Sequence, residues 1–109
     1  MRMCVPVTQT GLVERGWGRA DRVAIADVAE DIRAWEEFDV GWGTLHDTGT
    51  EGSHHARVAR FLIDHGVEAV VVNHMGEGMV VMLQRMGLKV FSGISGDARQ
   101  AVIAVGTAV

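Results

Sequence analysis

Short apolar runs separated by glycine-rich polar stretches dominate the amino-terminal part of the chain, a pattern typical of β-strands joined by loops. Residues 2–7 and 22–28 are predicted to be strands, and residues 32–40 are predicted to pair back on the second strand as a hairpin. The connecting stretches 8–21 and 41–52 are polar and rich in glycine, and they are predicted to be loops.

In the second half of the chain the apolar residues recur every three or four positions, which is the spacing of one helix face. Residues 54–65 are predicted to be a helix with Ser53 as its N-cap and Gly66 as the residue that ends it. A second helix carries apolar side chains at positions 79, 82, 83 and 86, and a third follows Asp97, which can cap it. Residues 67–72 and 88–91 lie between these helices and are predicted to be strands.

The run at residues 67–72 is almost entirely apolar, which suits a strand that helices cover on both faces. Three strands followed by alternating helices and strands imply a three-layer α/β sandwich over a mostly parallel sheet. The length of 109 residues suits one domain over residues 1–109.

The composition argues against several functional classes. Lys and Arg number 10 against 14 Asp and Glu, and a net charge of −4 disfavours nucleic acid as a partner. The single cysteine, Cys4, excludes an intrachain disulfide and a multi-cysteine metal site, and within a strand it is more often a buried hydrophobe than a ligand. No leader is visible, and no apolar stretch approaches the roughly 20 residues that span a bilayer. We therefore expect a cytoplasmic protein that binds no membrane and keeps its thiol reduced.

Ligands of open α/β sheets bind beyond the carboxyl ends of the strands. Three loops are expected to meet there, at residues 8–21, 41–53 and 73–78. Four of the five histidines lie in or beside these loops, namely His46, His54, His55 and His74. The sequence therefore predicts a candidate binding site at this edge of the sheet.

His54 and His55 stand at the start of a predicted helix. A helix N-terminus carries a partial positive charge, which favours anions and disfavours a protonated imidazole. Two neutral imidazoles at this point could ligate a metal ion. The alternative is that both are exposed side chains of a first helical turn and bind nothing.

The segment His74-Met75-Gly76-Glu77-Gly78 follows a buried strand. Gly76 and Gly78 allow the backbone to approach a ligand closely, while His74 and Met75 offer one borderline and one soft metal ligand. The alternative is a glycine-rich turn in which Met75 fills the core. No Gly-Lys-Ser/Thr follows, so a nucleotide phosphate loop is not indicated. The Gly-x-Ser-x-Gly and His-Glu-x-x-His motifs of hydrolases are also missing from the sequence, so a hydrolytic enzyme is poorly supported.

Four segments together carry a family resemblance: Met-Arg-Met-Cys-Val-Pro-Val-Thr at residues 1–8, Gly-Trp-Gly-Arg-Ala at 16–20, His-Met-Gly-Glu-Gly-Met at 74–79 and Met-Gly-Leu-Lys-Val at 86–90. With them the chain resembles the dinitrogenase iron–molybdenum cofactor biosynthesis family, whose NifX/NifY-like domain also occurs at the C-terminus of NifB-type proteins. The resemblance extends over essentially the whole chain.

The resemblance implies a ribonuclease H-like α/β/α fold, with a five-stranded mixed sheet whose second strand is antiparallel to the others. It also implies a protein without catalytic activity that binds an iron–sulfur cluster, iron–molybdenum cofactor or a precursor as cargo. Such a carrier takes its cargo from a donor protein and passes it to an acceptor protein during cofactor assembly.

The resemblance further implies histidine as the protein ligand of the cargo, which selects His74 first and then His54 and His55. The remaining predicted cofactor-binding residues belong to the two matching loops: Trp17, Arg19, Met75, Gly76 and Gly78. Three other functions stay open: a module that binds a small anion, an interaction or oligomer-forming domain such as a homodimer, and, as the most distant alternative, a hydrolase with one metal ion at His54, His55 and His74. The second is suggested by the uncharged, largely apolar stretch at residues 101–109.

Overall fold

The computed structural model describes residues 1–46 and 49–108, with the backbone alone at His46 and Glu51. The strands within these ranges are β1 (Arg2–Pro6), β2 (Arg22–Val28), β3 (Ile32–Asp39), β4 (Ala69–Val71) and β5 (Lys89–Phe91). They form one sheet in the order β3-β2-β1-β4-β5. β2 is antiparallel to β1 and β3, whereas β1, β4 and β5 are parallel to one another. The predicted five-stranded mixed sheet with an antiparallel second strand is confirmed.

The described residues also form the 3₁₀ turn Trp17–Arg19 and the helices α1 (Trp42–His46), α2 (Glu51–Asp64), α3 (Glu77–Arg85) and α4 (Ala98–Ala108). Because successive side chains of a strand point to opposite faces, the sheet builds two separate cores. Cys4 and Val70 pack toward α2 and α3, while Met3 and Val71 pack toward α4. Helices thus cover both faces of the sheet, and the predicted three-layer arrangement is confirmed.

The helix boundaries follow local capping groups. α2 begins three residues earlier than predicted, because the Thr50 hydroxyl accepts a hydrogen bond from the Ser53 backbone N–H at 3.0 Å. The predicted N-cap, Ser53, was therefore wrong, and this residue lies in the first turn. The predicted end at Gly66 is confirmed by its positive φ of 63°. The Asp97 cap of α4 is confirmed, since its Oδ2 atom accepts from the Gln100 N–H at 3.0 Å.

The prediction of a loop over residues 41–52 was wrong at α1, which occupies five of those positions, and at residues 51 and 52, which belong to α2. Trp42, the first residue of α1, is buried, and its ring centroid lies 5.0 Å from that of Trp17. The backbone N–H groups of Gly41 and Gly43 donate to the carbonyls of Asp21 and Ala20. A single helical turn is too short to be stable alone, so these tertiary contacts hold it in place. Within residues 1–46 and 49–108, no helix is long and apolar enough to cross a membrane.

The packing of α2 on the sheet gives a matched pair of variants. Leu62 is fully buried between α2 and the sheet, whereas its neighbour Ile63 is 64% exposed. We expect Leu62→Ala to lower the free energy of unfolding by about 2–5 kcal/mol through lost burial and an internal cavity, and Ile63→Ala to lower it by less than about 1 kcal/mol. Urea denaturation of both variants checks this, and equal losses would contradict the described orientation of α2.

Candidate functional site

Two loops are joined side by side at the carboxyl edge of the sheet. One leaves β1 and the other leaves its parallel neighbour β4. The backbone N–H of His74 donates to the Arg15 carbonyl at 3.1 Å, and the Trp17 N–H donates to the His74 carbonyl at 3.0 Å. Both hydrogen bonds of the His74 peptide groups therefore fix the loop after β4 against the loop after β1.

An open cleft of about 630 Å³ lies between these loops, lined by Glu14, Arg15, Gly16, Arg19, Asn73 and His74. Its volume is in the range of small-molecule binding sites. The cleft contains two guanidinium groups against one carboxylate, although the chain as a whole carries a net charge of −4. This local excess of positive charge suits an anionic ligand. Of the predicted site residues, the cleft brings together His74 and Arg19.

A second, smaller cavity of about 150 Å³ is lined by the residues Trp17, Gly18, His54, His55, Gly76, Glu77, Gly78 and Met79. It lies at the start of α3, where Gly76 is an N-cap without a side-chain hydrogen bond. The first backbone N–H groups of a helix lack helical acceptors and favour an anion. The His55 ring packs closely against the backbone at Gly78, because a Cβ atom at this position would lie 3.4 Å from Cε1 of His55.

The structure divides the three predicted histidine ligands between the two cavities. His54 is only 3% exposed and His55 is half-buried, and their ring centroids are 6.2 Å apart. His74 is exposed in the larger cleft. Across residues 1–46 and 49–108, no three or more His, Cys, Asp or Glu side chains are grouped so that they could hold a metal ion. The ligand roles of these histidines stay predictions, and the His46 side chain lies outside the described residues.

Trp17 and Met75 are core residues beside the site. Trp17 is 1% exposed and packs against Trp42, and its indole Nε1 atom has no hydrogen-bond partner among the described residues. Met75 is 8% exposed and belongs to the core between the sheet and the helices α2 and α3. Trp17 also lines the smaller cavity, whereas Met75 lines neither of the two, and a direct cargo contact by either residue stays a prediction.

The sequence interpretation missed Glu14 as a cleft residue and α1 as a support of the site. Glu14 lines the cleft, and its side chain accepts a hydrogen bond from the Arg15 backbone N–H. Its negative charge partly offsets the positive charge of the two arginines in the cleft. Only a weak indication of α1 is visible in the sequence: Trp42 and Leu45 are three residues apart, which is the spacing of one helical face.

Cys4 is fully buried in β1, as the sequence predicted for a small hydrophobe. Burial disfavours the charged thiolate, and it therefore raises the pKa of the Cys4 thiol above its ordinary value. A thiol held neutral inside the sheet is neither a metal ligand nor a nucleophile.

The chain and its fold have clear counterparts among known proteins. A family model described as dinitrogenase iron-molybdenum cofactor matches residues 1–107. The apo form of the orange protein from Desulfovibrio gigas is 26% identical, with a TM-score of 0.79 over 98% of this chain and 88% of that chain. A search of curated protein sequences gave no match.

Two further solved structures share the fold. The protein PH0822 is 21% identical, with a TM-score of 0.79 over 99% of this chain and 90% of that chain. A putative NifB protein from Thermotoga, TM1290, described as a member of the DUF35 family, is 21% identical, with a TM-score of 0.71 over 97% of this chain and 87% of that chain.

The buried thiol leads to a prediction about alkaline stability. In the unfolded chain the Cys4 thiol ionises at about pH 8.5. In the folded protein the raised pKa keeps this thiol protonated at the same pH. The contribution of Cys4 to the free energy of unfolding is therefore fully present below that pH. Above it the free energy of unfolding falls, with a slope that approaches about 1.4 kcal/mol per pH unit. Urea denaturation between about pH 7 and pH 10 measures the decline, and Cys4→Ala is expected to lose this component. A constant difference between the two proteins over that range would mean that Cys4 ionises in the folded state.

Proposed function

The chain belongs to the dinitrogenase iron–molybdenum cofactor family, and from this premise we propose that it is a carrier that binds an iron–sulfur cluster, iron–molybdenum cofactor or a precursor of it as cargo. The family and the likeness to the orange protein support a cofactor-related binding role. We further propose that the protein has no catalytic activity of its own and releases the cargo unchanged to an acceptor protein.

The cleft between the loops after β1 and β4 is the observation that carries this proposal. A metal–sulfur cluster is bulky and anionic, so it needs a wide opening with positive charge. The cleft of about 630 Å³ provides both, through the exposed side chains of Arg15 and Arg19. The exposed imidazole of His74 adds a borderline ligand that can anchor iron or molybdenum.

The small number of protein ligands fits a carrier better than a permanent holder. In the part of the chain that the structure describes, no three-ligand group of His, Cys, Asp or Glu is present, and the only cysteine is buried. A cargo held by one imidazole and by surface charge has few bonds to break before it leaves. This arrangement supports transfer between a donor and an acceptor protein, which we place in the cytoplasm, where thiols stay reduced.

The small cavity at the start of α3 favours a second candidate function, the binding of a compact anion. Its volume of about 150 Å³ lies below the roughly 300–1,000 Å³ of ordinary small-molecule sites, which suits a small ligand, and it combines the N–H groups of a helix start with two histidines. In this alternative His54 and His55 contact the anion and His74 is not required. The two functions are separated by the variants below.

We expect His74→Ala to weaken cluster binding by about tenfold or more, since one metal–ligand bond is lost, and His65→Ala to leave binding unchanged. His65 is the matched control because it lies at the end of α2, before the start of β4 and so at the opposite edge of the sheet. The apoprotein is incubated anaerobically with isolated iron–molybdenum cofactor, and in parallel with a synthetic iron–sulfur cluster. Visible absorbance that co-elutes with protein on gel filtration measures binding.

His65 contacts the rings of Phe38 and Phe61, so the thermal stability of both histidine variants must be measured beside binding. Equal loss of absorbance from two folded variants would contradict the cleft as the binding site. A wild-type protein that stays colourless but binds inorganic phosphate or sulfate would favour the compact-anion function instead.

The positive charge of the cleft gives an independent prediction. We expect the double variant Arg15→Gln/Arg19→Gln to weaken cluster binding by about tenfold and to reduce its dependence on salt concentration. Arg33→Gln/Arg85→Gln changes the net charge equally, but both arginines are exposed near the opposite edge, at the start of β3 and the end of α3. Equal weakening in both double variants would indicate general electrostatic attraction rather than a cleft.

A further inference from the structure

The outer edge of β5 is unpaired in the described structure, since the strand order ends there. The Lys89 N–H donates to the Glu68 carbonyl and the Phe91 carbonyl accepts from the Val72 N–H, so the backbone of both residues points toward β4. Because these directions alternate along a strand, the N–H and C=O groups of Val90 point away from the sheet. They are placed to pair with another strand.

An apolar groove of about 550 Å³ runs beside this edge, between β5 and α4. Its apolar lining includes Phe91, Ile94, Ala101, Ala104 and Val105. Asp97 lies at the groove and is the one ionisable side chain in its lining. The groove is therefore an apolar surface with a single negative charge.

The edge strand carries the complementary charge. Lys89 is exposed, and it lies on the same face of the sheet as Phe91, because the two are separated by one residue. Among the described residues neither Lys89 nor Asp97 forms an ion pair. If two β5 strands pair antiparallel about Val90, Lys89 of one copy stands directly opposite Phe91 of the other, on the face that holds the groove.

We propose that a second copy of this chain binds along the outer edge of β5, antiparallel, with Val90 on the twofold axis and Lys89 of each copy beside Asp97 of the other. The Val90 peptide groups then exchange two hydrogen bonds, and the groove of each copy is closed by the other. Such an interface is the same patch on both subunits, as closed twofold symmetry requires. The association is independent of the cargo and of the carrier function proposed above.

The apolar groove is tested by adding a charge to it. Ala104 is exposed on α4 and lines the groove, whereas Ala56 is exposed on α2, away from it. Sedimentation of the full chain over a wide range of concentrations is expected to show a monomer–dimer equilibrium. Ala104→Glu should raise the dimer dissociation constant by about tenfold or more, while Ala56→Glu should leave it unchanged.

The pairing itself is tested by zero-length crosslinking, because Lys89 is the only lysine of the chain. A carbodiimide that condenses an amine with a carboxylate is expected to link Lys89 to Asp97 between copies, as identified by peptide mapping. Asp97→Asn keeps a residue able to cap α4 and should abolish this product. Mixed light and heavy isotope-labelled chains distinguish a link between copies from a link within one.

Three results would overturn the proposal. They are a monomer at every concentration, a dimer that Ala104→Glu and Ala56→Glu affect equally, or an intermolecular crosslink from Lys89 to a different carboxylate. A monomer would mean that the short strand and its lysine protect the edge against pairing, as edge strands often do. The groove would then be available to an occupant other than this chain.

Discussion

The pairing of the His74 peptide groups with the loop after β1 is the constraint on which the site depends. A strand-to-helix loop rich in glycine has few side chains to hold it in place. Here two backbone hydrogen bonds fix the loop at the carboxyl edge of the sheet: the His74 N–H donates to the Arg15 carbonyl, and the His74 carbonyl accepts from the Trp17 N–H. The cleft with the two arginines and the cavity at the start of α3 are both bordered by this one junction. The geometry of the candidate site is therefore set by backbone contacts, and its chemistry by the side chains around them.

The junction rests on a layer of aromatic packing. Trp17, whose backbone N–H belongs to the junction, packs its ring against Trp42 of α1. The glycine at position 43 allows α1 to approach, because a Cβ atom there would lie 2.6 Å from the Arg19 carbonyl oxygen. That contact places the backbone of Arg19, which lines the cleft, against a helix of one turn. Gly43, which lines neither cavity, thus helps to position Arg19 in the wall of the cleft.

Local pattern was enough to predict most strands and helices, because each buries a face whose period is visible in the sequence. The direction of the second strand, antiparallel to all the others, was implied by the family resemblance and not by periodicity, and the order of the strands was not predicted. α1 escaped prediction because its stability comes from contacts with Trp17 and Ala20, which lie more than twenty positions away along the chain. For the same reason the sequence grouped His74 with His54 and His55, whereas the structure puts them in separate cavities. Sequence spacing predicts which edge of a sheet a residue reaches, and long-range pairing decides its neighbours there.

The position of Cys4 in the sheet has a consequence for the chain's behaviour in air. The oxidation of a thiol to a sulfenic acid or a disulfide requires an accessible thiolate. The sheet keeps the chain's only sulfhydryl group both neutral and out of contact with solvent. Folded molecules consequently have no route to a covalent disulfide-linked pair, although the protein family is associated with redox-active metal. A disulfide between two copies through Cys4 would therefore require the sheet to open first.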